Sequence, residues 1–507
     1  MVNAICKKKM SIIEKIILFL FVIPVALMGC SAVPSKTGGN FAEKSVYNSV
    51  NDALYVIPGN AIYVSVNGND SWAGTFDRPL RNIRTAALKT KPGDTVLVRE
   101  GLYEDIIEIK NSGRPDAWIT YRAYPGEKVI VKDNGWWSEW SVAFDVCASY
   151  IHIEGFEVTN SRRKDIKFND SREWAFNGKG IRIGGGDSII HHVRIFNNKV
   201  YDCAGSGIAA GNADYIHVKG NTVFRTAWQS RFHESAINFF DIKAYDSKPG
   251  FHNIIEDNIC FDNDNKTPEQ LDFNHEISRD WTDGNGIIID WCLDKNTSTL
   301  IRNNICFNNG GRGIQITVSV NVTAENNTCY MNSINRVLNR YRVPRSDGEI
   351  GVSGINKIKG SPSFGRGSEN IHIRNNILYA ASGRPCFGTS DIQSVFFDYN
   401  LCYNGLSGGI QNNTSAAETH GVNNVLNKDP LFANLPAVIK AVPFNNGGYE
   451  CFNWDSGDYT RYDFSLRKGS PAIGAGSGIP VYKSGFADPV FFYNARSTSD
   501  LGALPAK

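Results

Sequence analysis

The sequence predicts an all-β chain, a parallel β-helix with an N-terminal capping helix. Three observations carry this. A seven-residue phrase recurs between residues 193 and 403, its copies return at a spacing close to one solenoid coil, and a short helical pattern precedes them. The phrase reads apolar-x-x-Asn-apolar-(Cys/Val/Leu)-(Tyr/Phe): IFNNKVY, VKGNTVF, IEDNICF, IRNNICF, AENNTCY, IRNNILY and FDYNLCY. Its asparagines are Asn198, Asn221, Asn258, Asn304, Asn327, Asn376 and Asn400, at spacings of 23, 37, 46, 23, 49 and 24. The floor near 23 is one coil, and larger values are coils with inserted loops. An asparagine fixed at one turn suits a stacked amide ladder and a left-handed turn backbone.

Taken in order, the chain opens with an export signal. Lys7, Lys8, Lys9 and Lys15 precede the apolar run Ile16 to Met28, too short to span a membrane comfortably. The run ends in Leu27-Met28-Gly29-Cys30, which resembles a bacterial lipoprotein cleavage site. Residues 1–29 would then be removed and Cys30 lipidated, anchoring the protein to the bacterial cell envelope. An uncleaved anchor helix or a plain secretory signal is the alternative. Residues 30–60 are polar and read as a tether, and 61–507 as one β-helix domain. Within it, Pro79 to Thr90 has helical apolar spacing (Leu80, Ile83, Ala86, Ala87), and a strand follows at Thr95 to Val98. That helix would plug the open end of the solenoid. Regular coils are expected over about 150–403 and a C-terminal capping segment over 404–507.

Of 507 residues, 42% are hydrophobic and 21% charged, enough to bury a sizeable core. Lys plus Arg is 53 and Asp plus Glu 51, and the early lysines account for the positive excess. A near-neutral body with no basic block argues against nucleic acid as a partner. There is no phosphate-cradling loop and no CxxCH, hence no sign of nucleotide, flavin or haem. Of eleven cysteines, Cys260, Cys306, Cys329 and Cys402 share one slot of the repeat. They read as small buried hydrophobes, since ligands of one metal must converge rather than stack along an axis. The domain is expected to act as a monomer.

A second phrase, a small residue then an apolar one, follows each ladder asparagine: Gly207-Ile208, Ala236-Ile237, Gly286-Ile287, Gly313-Ile314, with Glu349-Ile350 and Pro385-Cys386 in the same place. The coils of Ile237, Ile287 and Ile350 carry inserts on both sides of this strand, which predicts a walled groove over one sheet. Its ionisable and polar residues are the candidates. Arg312 has a fork suited to a uronate carboxylate, as base or clamp; the bland reading is a turn cap or a partner for Glu349. Asp283 and Glu349 are the candidate catalytic carboxylates, with a loop turn and a solvated face as their ordinary readings. Asn238, Gln315, Trp281, His233 and Glu234 are candidates for substrate contact. Asp283, Asn285 and Asp290 are candidate oxygen ligands for calcium.

The opening segment, the asparagine coils and the closing SPAIGAG (Ser470 to Gly476) and DLGA (Asp500 to Ala503) resemble the pectate lyase superfamily of right-handed parallel β-helix proteins. The N-terminal segment is similar to the family nine pectate lyases, and the resemblance spans nearly all of 61–506. It implies calcium held by aspartates to mask a uronate carboxylate, and a lysine that removes the C5 proton. The family pattern places an aspartate near Ile288 and the lysine near Gln315. This chain has neither, so those two roles do not carry over. The expected activity is a polysaccharide lyase acting on an acidic polysaccharide. A glycoside hydrolase with paired carboxylates and a non-catalytic glycan-binding lipoprotein are the alternatives.

Overall fold

Coils pair from the first strand onward: Ala61–Val64 lies parallel to Thr95–Val98, which pairs with Ile119–Ala123, which pairs with Ile151–Glu154. The computed structural model describes residues 59–133, 141–160, 178–228, 230, 234–265, 270–271, 277–278, 283–333, 348–354, 367–382, 384–404, 410–412, 418–420, 423–435, 462–477 and 500–503. Three long parallel sheets of 12, 10 and 11 strands run along the solenoid, each ordered by successive coils. The fold is a right-handed parallel β-helix, as expected. Regular coils begin near residue 61 rather than 150. The early coils lack the ladder asparagine, so the repeat phrase does not reveal them.

The ten-stranded sheet positions the candidate residues. Its strands are β1 (Ile107–Ile109), β2 (Val142–Val146), β3 (Lys179–Gly184), β4 (Ile208–Gly211), β5 (Ile237–Phe240), β6 (Ile287–Asp290), β7 (Ile314–Thr317), β8 (Ile350–Ser353), β9 (Phe387–Ser390) and β10 (Ile410–Asn412). Alternate side chains point inward. Ile237, Ile287, Ile314 and Ile350 pair in register and are fully buried.

The asparagine ladder is present in full and gains a rung at Asn424. Each Oδ1 accepts the backbone N–H of the asparagine one coil earlier, at 2.8–3.0 Å from Asn198 through Asn400. The left-handed backbone falls one residue before the ladder position, at Asn197, Gly220, Asp257, Asn303, Asn326, Asn375, Tyr399 and Asn423. This corrects the expectation that the ladder residues themselves hold that conformation. Cys260, Cys306 and Cys329 stack in register, buried and free, with Cys402 two coils on.

The capping helix α1 (Ile83–Lys89) is shorter than expected and buries Ile83, Ala86 and Ala87. Leu80 instead bridges to Val64, and the Asp70 carboxylate accepts the N–H groups of Arg81 and Asn82 at 2.9 and 3.0 Å. At the other end, Phe432–Asn434 pairs antiparallel with Asp463–Leu466. Phe432, Phe464, Leu466 and Leu501 pack with Phe307, Tyr330, Ile377 and Leu401. These belong to the sheet whose inward side carries the cysteines, so this part of the C-terminal segment covers the flank of the solenoid. Capping of its open end is not what these residues do.

Candidate active site

Following register along the outer face of the ten-stranded sheet gives one column: Glu108, Asp145, Arg182, Ala209, Asn238, Ile288, Gln315, Gly351 and Gly388. Charged residues open it, amides flank Ile288 at its centre, and glycines follow. Asp145 is taken bidentately by Arg182, at 2.9 and 2.6 Å. Glu108, Asp145 and Cys147 are near enough to share an ion, but Arg182 already neutralises Asp145 and Lys110 pairs with Glu108 at 2.8 Å. Burial, with Asp145 next in effect, pushes the Cys147 thiol up to about 11.

Arg312 and Gln315 lie together on this face. A Cβ on Gly351 would sit 2.4 Å from Arg312 Nε, 2.5 Å from its Cδ and 2.6 Å from Gln315 Oε1. Both side chains therefore cross the bare backbone of β8, and glycine there is what leaves the space. Gln315 Nε2 donates to Thr317 Oγ1 at 2.5 Å and Ser353 Oγ at 3.0 Å. Its Oε1 accepts no hydrogen bond among the described residues.

At the leading edge of the sheet, Glu234 is 5% exposed and gathers three groups. Lys179 Nζ and Ser206 Oγ contact its two oxygens, and Asn238 Nδ2 donates to Oε2 at 3.3 Å. Asp283 belongs to the next coil. It is 3% exposed, and its Oδ1 accepts from Asn285 Nδ2 at 3.2 Å. The Gly284 N–H donates to the Glu234 carbonyl at 2.9 Å, so the two acidic residues stand on neighbouring coils, about 4.8 Å apart at the backbone.

Two expectations need correction. Glu349 does not face the groove. It occupies the slot of Gly286 and Gly313, where a Cβ would meet Cys306 Sγ at 2.9 Å and Cys329 Sγ at 2.8 Å. Glu349 therefore points into the core, 1% exposed, with its carboxylate on Asn332. Nor do Asp283, Asn285 and Asp290 converge. Asn285 Oδ1 accepts the Arg312 N–H at 2.7 Å, and its Nδ2 donates to Ser235 Oγ at 2.9 Å, so it serves the turn. Asp290 ends β6, beyond Ile287–Ile289. At about 3.3 Å per strand residue it stands roughly 10 Å or more from Asp283, too far to share an ion bound at about 2.3–2.6 Å. Among the described residues this set does not fit calcium.

His233, Trp281 and Cys30 lie outside the described residues. Sequence reasoning missed Lys179, which begins a strand that the repeat phrase does not mark.

Residues 62–346 match the family described as "Pel9A-like, right handed beta helix region". An uncharacterized protein of Bacillus subtilis, YwoF, is 29% identical over 143 residues, 28% of this chain and 29% of that protein. Pectate lyase PEL9 of Emericella nidulans is 43% identical over 72 residues, 14% of this chain and 18% of that protein. The matches thus span less than a third of either relative. Among solved structures, pectate lyase Pel9A is 18% identical, with a TM-score of 0.47 covering 88% of this chain and 96% of that one. A lacto-N-biosidase of Eubacterium ramulus is 14% identical, with a TM-score of 0.40 covering 71% of this chain and 68% of that one. Since the family match spans more than half of the sequence, the chain belongs to the Pel9A-like right-handed β-helix family.

Proposed function

We propose that the protein is a carbohydrate-active enzyme, a polysaccharide lyase that cleaves a uronic-acid polysaccharide by β-elimination over the ten-stranded sheet. The observation that carries this is the placement of Arg312 across Gly351, on the outer face and beside Gln315. A guanidinium keeps its charge at any working pH and takes a carboxylate with two parallel hydrogen bonds. Masking that carboxylate acidifies the C5 proton. The electron pair left at C5 forms the C4–C5 double bond, the C4–O bond breaks, and the departing oxygen takes up a proton. Asp283, on the coil before that of Arg312, is the carboxylate we assign to receive the C5 proton. Asn238 and Gln315 supply amides to sugar hydroxyls. Family membership and a relative named as a pectate lyase support the same reading. No step is routed through calcium.

A second reading rests on Glu234 and Asp283. Their backbones stand on neighbouring coils, about 4.8 Å apart, and a retaining glycoside hydrolase requires two carboxyl groups about 5–5.5 Å apart. One assay separates the two: the purified protein on a panel of uronic-acid and neutral polysaccharides, read by absorbance at 232 nm and by reducing ends. New reducing ends with a 232 nm rise support the lyase, and without it the hydrolase. Binding with neither leaves a glycan-binding protein. The lipid anchor at Cys30 and the cell-envelope location belong to the proposal, and mass spectrometry of the mature N-terminus tests them.

A further inference from the structure

Lys179 and Glu234 form a buried ion pair, their side chains 12% and 6% exposed. Taking both charges out of water costs several kcal/mol per ion before their attraction offsets it. The fold does not call for that expense. The register row through Lys179 holds Val142 in the coil before it and Ser206, Ser235 and Asn285 in those after it. Ser235 and Asn285 satisfy each other with a neutral hydrogen bond. Where the row carries a lysine, the Glu234 carboxylate has come to meet it, joined by Ser206 and by Asn238 from the outer column. Asn238 is 9% exposed, and while its amide donates to Glu234 its Oδ1 accepts nothing among the described residues. A dry, unused acceptor on the face of the sheet is what a sugar hydroxyl would occupy.

We propose that Lys179 is a positioning residue of the active site, holding the Glu234 carboxylate ionised and fixed against Asn238. The inference rests on the reading of this face as catalytic, and it adds Lys179 to the residues that make it so. Lys179 on β3 is in contact with Glu234, and Asp283 stands on the following coil; His233, the chain neighbour of Glu234, lies outside the described residues. The lysine favours the ionised carboxylate, and removing it leaves desolvation, which favours the protonated acid.

The test uses the full-length protein with Lys179→Met, Lys179→Arg and the milder Lys179→Gln, the last read if Lys179→Met does not fold. The rate is followed against pH on whichever polysaccharide the parent cleaves. Lys179→Met is expected to move the acidic limb of the kcat profile up by about one pH unit or more. It should lower kcat at least tenfold near pH 6, with KM changed less than threefold, and Lys179→Arg should restore most of the loss. A purely structural lysine would lower the rate by one factor at every pH and leave the limb in place, which overturns the inference while the catalytic reading stands. A parent that cleaves no glycan overturns the catalytic reading, and the inference with it.

Discussion

Glu349 ends an amide ladder by standing where a further asparagine would: its Oε1 accepts the Asn332 backbone N–H at 3.0 Å and its Oε2 accepts Asn332 Nδ2 at 2.5 Å. The ladder below it runs from Asn263 to Asn309 to Asn332, each amide accepted by the next. The following coil offers alanines, Ala380 and Ala381, in place of the next asparagine. A carboxylate reaching in from the corner before β8 supplies the missing acceptor. Two buried donors would otherwise lack a partner, at about 1–3 kcal/mol each.

That placement makes stability depend on pH. Burial raises the Glu349 carboxyl from 4.5 to about 8, against the lowering effect of the two Asn332 hydrogen bonds. A carboxyl raised in the folded state binds its proton there while the unfolded chain has released it. Its contribution is therefore complete below about pH 4.5 and is lost as pH rises through about 8. Glu349→Gln keeps an acceptor and removes the titration. In denaturant unfolding at pH 5 and pH 8.5, the parent should lose stability across the interval and the variant should lose measurably less. Equal slopes would show that Glu349 is ionised throughout.

The main ladder should be most sensitive at its centre. Asn304 Oδ1 accepts from Asn258 N and Nδ2, both at 3.0 Å, and its own amide donates to Asn327 Oδ1 and Ile255 O. Asn304→Ala leaves the buried Asn258 N–H without its acceptor and should cost about 3 kcal/mol in urea unfolding. Asn424→Ala, at the half-buried last rung, should cost about 1 kcal/mol or less. Equal losses at the two positions would mean that the ladder is not what these residues contribute.

The sequence was most legible where a physical requirement repeats. A turn that needs an acceptor in every coil leaves Asn198 through Asn400 in plain view, and the inward slot beside them leaves the cysteines. The site is less legible because its residues occur once. Asn238 and Gln315, read from the sequence as candidates for substrate contact, follow the buried Ile237 and Ile314 and so stand on the outer column, since side chains alternate along a strand. The same alternation misplaced Glu349, because the corner before each groove strand lets two consecutive positions face the core, as Gly286 and Ile287 do. Lys179 carries no signal of its own; only folding brings it across two coils to Glu234.

Calcium removal discriminates this chain from the pattern it resembles. Ile288 holds the column position between Asn238 and Gln315 that an oxygen ligand would need, and Asn285 is committed to the Arg312 N–H. Turnover should therefore be unchanged, within about twofold, after treatment with EDTA and gel filtration. A loss restored by calcium would place a cation site on loops outside the described residues.

Gly351→Ala separates fold from function on the candidate face. No positive φ constrains Gly351 to glycine, and the atoms its methyl would strike are side-chain atoms, Cδ and Nε of Arg312 and the amide oxygen of Gln315. Displacing them costs the Gln315 hydrogen bonds to Thr317 and Ser353 rather than any backbone, so unfolding stability should fall by no more than about 3 kcal/mol. The guanidinium would then leave its place over β8. A reacting carboxylate held by a displaced clamp loses the geometry that makes the C5 proton reachable, and a misplacement of about 1 Å can cost on the order of 100-fold in rate. The expected result is a folded protein with kcat/KM down by at least tenfold. Arg312→Lys should fall similarly, because an ammonium cannot reproduce the planar two-point grip. Full activity in Gly351→Ala would show that Arg312 need not lie across β8 for catalysis, and the proposed clamp would fall.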